Sequence, residues 1–414
     1  MILDPRQYRM DLLLRRPYLP GTPFGAAGDT IWAMSPQGWG FRDGVYWRRA
    51  VAAAALRPFL LDVRADGDEV PVGDALYRPS HVTLHGLHEP SGLQITEDKF
   101  LTEDDVVVSV FSVRNPGEYT VEFQLDYSWG MPQGENHIDG ESVWIRRDAP
   151  PGDDLRQRFP SGARRTFVFV VAFADSREKA LQRSLSWRDH PDPVRAQSEM
   201  TQRWFDANMP RFDCSDPWIT KLWYHRWQQL WRLRGESNAA RQEIRDVLAA
   251  SDVLHEAGLD VGAGRQAARG GAPGDLLAAV TRFAEAQFES GLYELPGTEA
   301  DRTTARPVPS VDEPAFATVV LEGLLGIQRH AAGPNDDLLV VRPGLPPVQS
   351  GGWSHFCAEN IPHQGRMVTM VWDDPSDPAT DAYQDGDKGL SVYSDGRRIY
   401  HQEDLAPFTV ELPL

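Results

Sequence analysis

The sequence predicts an α+β chain of several domains: an N-terminal antiparallel β-sandwich, a shortened α-helical segment and a small C-terminal β-sandwich. Three observations lead to this fold class. The chain has 414 residues, more than the about 250–300 residues at which one hydrophobic core stops growing. Apolar residues alternate with polar ones up to about residue 175 and again after residue 335. Their spacing in between is helical, so the predicted domains are residues 1–192, 193–334 and 335–414.

The N-terminal region has the pattern of a half-buried antiparallel sheet from about residue 29 onward. Apolar residues recur through residues 106–113 and alternate through residues 121–127, and Asn115-Pro116-Gly117 lies between them. This spacing predicts a hairpin. Residues 166–174 are nearly all apolar, which is typical of a strand covered on both faces. Together these segments predict a large β-sandwich.

Two helices are predicted after the sandwich, over residues 193–208 and 216–234. Asp216 followed by Pro217 is a typical N-cap with proline at the first helical position. One face of the second helix collects large apolar residues: Trp223, Trp227, Leu230 and Trp231. Such a stripe forms a core more often than it binds a ligand, but aromatic rings also stack on sugars. Both interpretations stay open.

The rest of the helical segment is short. Further helices are expected around residues 244–248, 275–289 and 314–327. Residues 262–274 are rich in glycine and poor in large apolar residues, so we expect a mobile loop there. The pattern then returns to strands, which are predicted at residues 338–341, at 367–372, in a hairpin around Asp395-Gly396, and at 408–412.

The charge and composition argue against several classes of partner. Lys and Arg total 42 against 60 Asp and Glu, and a net charge of −18 would repel a phosphate backbone, so no nucleic-acid partner is expected. The chain lacks the about 18–20 uninterrupted apolar residues that cross a bilayer, and it begins without a basic region followed by an apolar run. We therefore expect a cytoplasmic chain with no membrane partner. Cys214 and Cys357 are too few for a disulfide framework and are expected to be buried thiols.

Three segments carry a family resemblance. They are F-D-C-S-D-P-W-I-T-K-L-W-Y-H-R-W at residues 212–227; G-L-Y-E-L-P-G-T-E at residues 291–299, followed by E-P-A-F-A-T-V-V-L-E-G-L-L-G-I; and W-S-H-F-C-A-E-N-I-P-H-Q-G-R-M-V-T-M-V-W-D-D at residues 353–374, with K-G-L-S-V-Y-S-D-G. In this order they resemble the six-hairpin glycosidases of trehalase, glucosidase and mannosylglycerate-hydrolase type. The resemblance implies an (α/α)6 barrel behind a β-sandwich, entered by a linker helix and closed by a second sandwich.

The middle of the chain departs from that family pattern. A closed barrel of twelve helices needs about 190 residues, and residues 236–334 supply about half of them. The resemblance therefore implies an incomplete (α/α)6 barrel, without the hairpin that carries the general acid in the family. By its position in Tyr293-Glu294, Glu294 would correspond to the general base.

Inverting glycoside hydrolysis needs one protonated and one ionised carboxyl group. Glu294 is the candidate for the ionised group, and no partner is evident from the sequence. Asp252 and Glu313 are further candidates for a catalytic carboxyl, although acidic residues on so polar a helical segment are typical of a solvated face. The candidates for substrate binding are aromatic: Trp39, Phe41, Trp47, Trp223, Trp227 and Tyr293. The first three lie in residues 38–48, which are aromatic enough to line a sugar cleft, but a sandwich edge packed on helices has the same composition.

Two patterns resemble metal sites without predicting one. Residues 373–377 form a D-D-x-x-D run, but they follow a strand and enter a turn, so we interpret it as a chance match. His81, His85 and His88 lack a cysteine or carboxylate that completes a ligand set, and strand alternation places His88 opposite the other two. No metal and no cofactor are expected.

Three functions remain open. The first is an enzyme with a small-molecule substrate, a sugar or glycoconjugate, and Glu294 as its base. The second is an isomerase or cyclase on an apolar small molecule in secondary metabolism, which depends on shape more than on paired carboxylates. The third is a non-catalytic binding or assembly protein. Because a trimmed barrel exposes apolar helix faces, self-association through residues 240–330 is also expected.

Overall fold

The computed structural model shows a β-rich α+β fold with sandwich-like antiparallel sheets and few helices, as the sequence predicts. The structure describes residues 2–3, 8–17, 31–33, 38–41, 45–47, 55–138, 140–150, 154–233, 276–278, 280–282, 284–285, 316–317, 319–328, 338–363, 365–376, 382–383 and 387–413. None of the helices in this part of the chain combines the length and the apolar character needed to cross a bilayer.

The N-terminal region is built from short and medium strands. In chain order they are β1 (Arg16–Pro17), β2 (Ile31–Ala33), β3 (Gly40–Phe41), β4 (Val45–Trp47), β5 (Ala55–Leu56), β6 (Phe59–Ala65), β7 (Asp68–Glu69), β8 (Asp74–Tyr77), β9 (Val82–His88), β10 (Leu93–Leu101), β11 (Val106–Arg114), β12 (Val121–Trp129), β13 (Gly134–Ile138), β14 (Glu141–Asp148), β15 (Asp154–Phe159) and β16 (Arg164–Ala174). An eight-stranded sheet has the order β1-β8-β9-β10-β11-β16-β14-β13. A five-stranded sheet has the order β15-β12-β6-β3 with β7 beside β6, and β2, β4 and β5 form a small third sheet.

The two large sheets enclose one hydrophobic core, which we call the sandwich core. Phe111 and Phe169 enter it from the eight-stranded sheet, and Phe59 and Phe123 enter it from the five-stranded sheet. Phe59 stacks on Phe169 with ring centroids 5.7 Å apart. Burial of one such side chain contributes about 1.5–3 kcal/mol. Contacts of this kind hold the two sheets together.

The predicted hairpin around Asn115 is wrong, although both of its strands exist. β11 pairs with β10 and β16, whereas β12 pairs with β15 and β6 in the other sheet. The turn therefore carries the chain across the sandwich. The Asn115 amide fixes this crossing because it donates to the carbonyl groups of Tyr119 and Phe159, each at 2.7 Å. Alternation along the chain identifies strands, but it does not show which strand lies beside which.

Four α-helices have described bounds: α1 (Met10–Leu13), α2 (Arg177–Arg188), α3 (Pro193–Asn208) and α4 (Pro217–Leu233). α2 and α3 cover the outer face of the eight-stranded sheet, including β16, and Trp187 of α2 packs edge-on against Phe100 of β10 at 5.3 Å. β16 is thus buried on both faces, as its apolar run predicts. α3 has its predicted bounds. α2 is not predicted, because its few apolar residues form no continuous stripe.

The C-terminal region contains two further sheets. Their strands are β17 (Arg211–Cys214), β18 (Ile327–Gln328), β19 (Leu338–Val341), β20 (His355–His363), β21 (Arg366–Asp373), β22 (Gly389–Ser394), β23 (Arg397–Gln402) and β24 (Phe408–Glu411). Five strands have the order β17-β20-β21-β22-β23, and three have the order β18-β19-β24. β22 and β23 form the predicted hairpin, with Asp395 and Gly396 at φ of 48° and 80°, as a type I′ turn requires.

A second core is shared by α4 and the C-terminal sheets. Trp223 and Trp227 of α4 pack into it with Phe212 of β17, and Phe356 of β20 enters it from the sheet. Asp216 caps α4, as predicted, by accepting the N–H of Trp218 at 2.9 Å. This core extends across the predicted limit at residue 335. The domain limits themselves stay predictions.

The predicted helices of the middle segment are described only in part. Residues 276–278, 280–282 and 284–285 are helical, within the helix expected at residues 275–289. Val319–Leu324 is a π-helix within the segment expected at residues 314–327. The helix expected at 244–248 and the loop expected at 262–274 lie outside the described residues.

Candidate functional site

The five-stranded C-terminal sheet has one apolar and one polar face. Phe356 and Ala358 of β20 point into the second core. Side chains alternate between the two faces of a strand, so the residues between and beside them lie on the opposite face. These residues are His355, Cys357 and Glu359. We call this surface the polar face of the sheet.

β17 adds a carboxyl group to the polar face. Phe212 and Cys214 belong to the second core, so Asp213 points the other way. In the register of the two strands Asp213 lies opposite Cys357, and His355 is the next residue of β20 on the same face. The polar face therefore brings together titratable groups from two neighbouring strands.

Three side chains surround the Asp213 carboxyl group. The Tyr383 hydroxyl donates to Asp213 Oδ2 at 3.2 Å, and the Tyr8 hydroxyl also forms a hydrogen bond with this carboxyl. His355 Nε2 lies 3.9 Å from Asp213 Oδ2. The other ring nitrogen of His355, Nδ1, lies 3.1 Å from Ser354 Oγ, which orients the imidazole. We call Tyr8, Asp213, His355 and Tyr383 the Asp213 cluster.

The N-terminal segment of the chain covers part of the polar face. The Ile2 N–H donates to Glu359 Oε1 at 2.6 Å, and Leu3 packs against Cys357. The Tyr8 ring stacks on Tyr224 of α4 with centroids 6.3 Å apart. These contacts hold Tyr8 close to Asp213 of β17, although the two residues are far apart in the sequence.

Burial raises the pKa of Asp213, while the Tyr8 hydrogen bond and the His355 charge act in the opposite direction. Burial is also the largest cause that raises the pKa of Tyr8 and of Tyr383, and the Asp213 charge adds to it. The side chains of Asp213 and His355 are nevertheless 17% and 27% exposed to solvent. Asp213 is thus a carboxyl group whose pKa lies above its ordinary value and which still reaches solvent.

This arrangement is suited to proton transfer. A protonated carboxyl group can give its proton to a leaving oxygen or to a carbonyl oxygen. The imidazole of His355 can accept or return a proton close by, and tyrosine hydroxyls can donate hydrogen bonds to a negative charge that develops during a reaction. The Asp213 cluster therefore offers an acid, a base and hydrogen-bond donors within a few ångströms.

Replacing Tyr383 by phenylalanine is expected to raise the pKa of Asp213 further. The Tyr383 hydroxyl stabilises the ionised carboxylate, so its loss favours the protonated form, while the ring that buries the site remains. Carbon-13 NMR of the aspartate carboxyl groups, with Asp213 assigned through Asp213→Asn, measures this pKa. As a control, Tyr400→Phe removes a hydroxyl bonded to Gln402 and should leave it unchanged. A lower or unaltered pKa in Tyr383→Phe would contradict the assigned hydrogen bond.

Four of the predicted substrate-binding aromatics lie in hydrophobic cores. Trp39 and Phe41 belong to the sandwich core, and Trp223 and Trp227 belong to the second core. Their exposed fractions are 6%, 1%, 0% and 3%, and Trp39 Nε1 donates to the Val70 carbonyl at 2.7 Å. These positions agree with the core interpretation of both aromatic groups. A role in substrate binding stays a prediction.

The remaining predicted site residues are described in part or not at all. Trp47 lies in β4, which pairs with β2 and β5, but its side chain is outside the described residues. Tyr293, Glu294, Glu313 and Asp252 also lie outside the described residues. Their predicted roles stay predictions.

The D-D-x-x-D run does not converge on one point. Asp373 accepts from Lys388 Nζ at 2.9 Å, whereas Asp374 accepts from the N–H and Oγ of Ser376; Asp377 lies outside the described residues. Within the described part of the chain, no group of three or more His, Cys, Asp or Glu side chains could hold a metal ion. Cys214 and Cys357 are both buried free thiols, as predicted.

Sequence reasoning did not identify the Asp213 cluster. Its local signals are slight: Asp213 stands between the apolar residues Phe212 and Cys214, and His355 begins a strand in which polar and apolar residues alternate. Tyr8 and Tyr383 carry no local signal, because 170 positions separate Tyr383 from Asp213 and the tertiary structure alone brings them together.

No protein-family model matches the chain, and no curated protein matches it. Among solved structures it is similar to a putative kojibiose phosphorylase from human microbiome, with a TM-score of 0.30 and 10% identity over 52% of this chain and 35% of that chain. It is also similar to a sialidase, with a TM-score of 0.28 and 10% identity over 83% of this chain and 62% of that one. The chain thus spans about a third of the phosphorylase and less than two thirds of the sialidase. At these TM-scores the similarities support no statement about activity.

Proposed function

We propose that the chain is an acid–base enzyme that acts on a sugar or glycoconjugate, with Asp213 as its general acid. The observation that carries the proposal is a partly exposed carboxyl group whose pKa is raised by burial and which lies beside an imidazole. Burial also raises the pKa of Glu97, but that side chain is 0% exposed and cannot meet a substrate. Asp213 is therefore the better candidate for the acid.

The sugar class comes from the sequence. The three segments that resemble six-hairpin glycosidases imply hydrolysis of a glycosidic bond. None of them contains a residue that corresponds to the general acid of that family. A protonated carboxyl group is what that step requires, because the departing oxygen must receive a proton. Glu294 stays the proposed base, and this part of the proposal rests on the resemblance alone.

The experiment is a mass-spectrometric screen of the purified chain against glycosides, followed by kinetics of two variants. Asp213→Asn keeps the shape of the side chain but removes the acidic proton, so we expect kcat to fall by about 10²–10⁴-fold. Glu294→Gln is expected to lower kcat as well. Aryl glycosides with an acidic leaving group need little protonation, so Asp213→Asn should lose much less activity on them.

A matched control is Asp189→Asn. Asp189 pairs with Arg188 on the surface of α2 and lies outside the Asp213 cluster, so its loss should leave kcat unchanged. Equal turnover by the wild type and Asp213→Asn on glycosides with poor leaving groups would refute Asp213 as the acid. Sugar binding without any turnover would refute the enzyme proposal in favour of a binding protein.

A second candidate is isomerisation of a sugar, which the short distance between His355 and Asp213 favours. Proton abstraction beside a carbonyl group needs a base, and protonation of the carbonyl oxygen needs an acid. His355 Nε2 lies 3.9 Å from Asp213 Oδ2, so one substrate could meet both groups. A product of unchanged mass that His355→Gln abolishes and Glu294→Gln does not would select this function.

A further inference from the structure

The Asp373 carboxylate holds two points of the chain that flank Tyr383. Its Oδ2 accepts the N–H of Ala382 at 3.2 Å, and its Oδ1 accepts from Lys388 Nζ at 2.9 Å. Asp373 is the last residue of β21 and is 3% exposed. Hydrogen bonds to a buried charged group are stronger than those between neutral groups. The sheet therefore anchors the chain on both sides of Tyr383.

Asp373 also lies close to the Asp213 cluster. In the β20–β21 pair it is the direct partner of His355, so both side chains belong to the polar face. Tyr383 directly follows Ala382, and its ring packs edge-on against the His355 ring at 5.8 Å. One pair of strands thus carries both the imidazole and the carboxylate that restrains Tyr383.

We infer that Asp373 is a positioning residue for this site: by holding Ala382 and Lys388 it places the Tyr383 hydroxyl on the Asp213 carboxyl. The catalytic meaning of this inference rests on the proposed function, whereas the placement of Tyr383 is a property of the folded chain. The first aspartate of the D-D-x-x-D run thereby has a role that needs no metal ion.

The first test measures the accessibility of Tyr383 in Asp373→Asn. Asparagine carries no charge and only one acceptor oxygen, so it cannot replace both oxygens that Ala382 and Lys388 contact. Tyr383 should therefore be released locally. Nitration by tetranitromethane, followed by peptide mass spectrometry, should be at least about tenfold faster at Tyr383 than in the wild type. Asp374→Asn is the matched control, because the neighbouring Asp374 carboxyl group accepts from the N–H and Oγ of Ser376. An unchanged nitration rate in folded Asp373→Asn would overturn the inference.

Lys388→Met tests the same point should Asp373→Asn fail to fold. It removes one of the two contacts at a side chain that is 25% exposed, so the fold should persist and nitration of Tyr383 should still accelerate. Protection of Tyr383 equal to that in the wild type would count against the inference.

The second test separates positioning from general stabilisation. Carbon-13 NMR gives the pKa of Asp213 in Asp373→Asn, in Tyr383→Phe and in the double variant. If Asp373 acts through Tyr383, its replacement shifts this pKa in the wild-type background and has no further effect when Tyr383 is already phenylalanine. A shift of equal size in both backgrounds would show direct electrostatics instead and overturn the inference. Neither test needs turnover, so failure of the proposed function, seen as activity independent of Asp213, stays distinguishable.

Discussion

Lys99→Met is expected to lower the free energy of unfolding by about 3–5 kcal/mol, because it leaves a buried carboxyl group without its charged partner. Lys99 and Glu97 are both 0% exposed inside the sandwich, with Lys99 Nζ 3.4 Å from Glu97 Oε2. Lys99 also donates to the carbonyl groups of Gly38, at 2.6 Å, and Gly40. Methionine fills a similar volume but satisfies none of these acceptors.

The size of this effect should depend on pH. Burial raises the pKa of Glu97, and the Lys99 charge opposes that rise, so the pKa increases further in the variant. A carboxyl group whose pKa is higher in the folded than in the unfolded chain makes stability fall as the pH rises above the unfolded pKa. The loss in free energy of unfolding caused by Lys99→Met should therefore be largest near neutral pH and smaller near about pH 4.

Urea denaturation followed by tryptophan fluorescence measures this loss at both pH values. Lys179→Met is the matched control, since Lys179 pairs with Asp175 on an exposed helix surface and contributes little. The double variant Glu97→Gln/Lys99→Met removes both charges and should regain part of the stability. A loss in Lys99→Met no greater than in Lys179→Met would contradict the buried ion pair.

Trp223→Ala is expected to lower the free energy of unfolding by about 3–5 kcal/mol, as removal of a fully buried tryptophan does. Trp223 is 0% exposed and contacts Phe212 and Trp227, with ring centroids 5.1 and 6.1 Å away. Its Nε1 donates to the Pro210 carbonyl at 3.0 Å. Alanine leaves a cavity where α4 meets the C-terminal sheet. It also leaves the Pro210 carbonyl group without its donor.

Trp218→Ala on the same helix is the control. Trp218 is half-buried beside Lys221, so its truncation should cost much less, as measured in the same urea experiment. The pair of variants also tests the sugar-binding interpretation of the helix stripe. Retained stability in Trp223→Ala together with weakened sugar binding would favour a ligand platform over a core residue.

Local sequence patterns correctly predicted elements whose apolar residues recur at a regular spacing or whose turn and cap residues lie next to one another. The apolar run of β16, the bounds of α3, the Asp216 cap and the Asp395-Gly396 turn all follow from residues within a few positions of one another. α2 was not predicted, because its few apolar residues form no continuous stripe. The hairpin at Asn115 was wrong because pairing partners are chosen across the sandwich.

By itself, the sequence determined the β-rich α+β class, the burial of both cysteines and the positions of several strands, since these depend on the local period of apolar residues and on composition. Those strands are β11, β12, β16, β19, β21, β22, β23 and β24. The tertiary structure decided how the strands divide between sheets and where the Asp213 cluster forms. Tyr8, Asp213, His355 and Tyr383 are far apart in the chain, and β17 and β20 must pair before their side chains share one face. At Asp213 the carboxyl pKa is raised because such packing removes water, and no local run of residues encodes that packing.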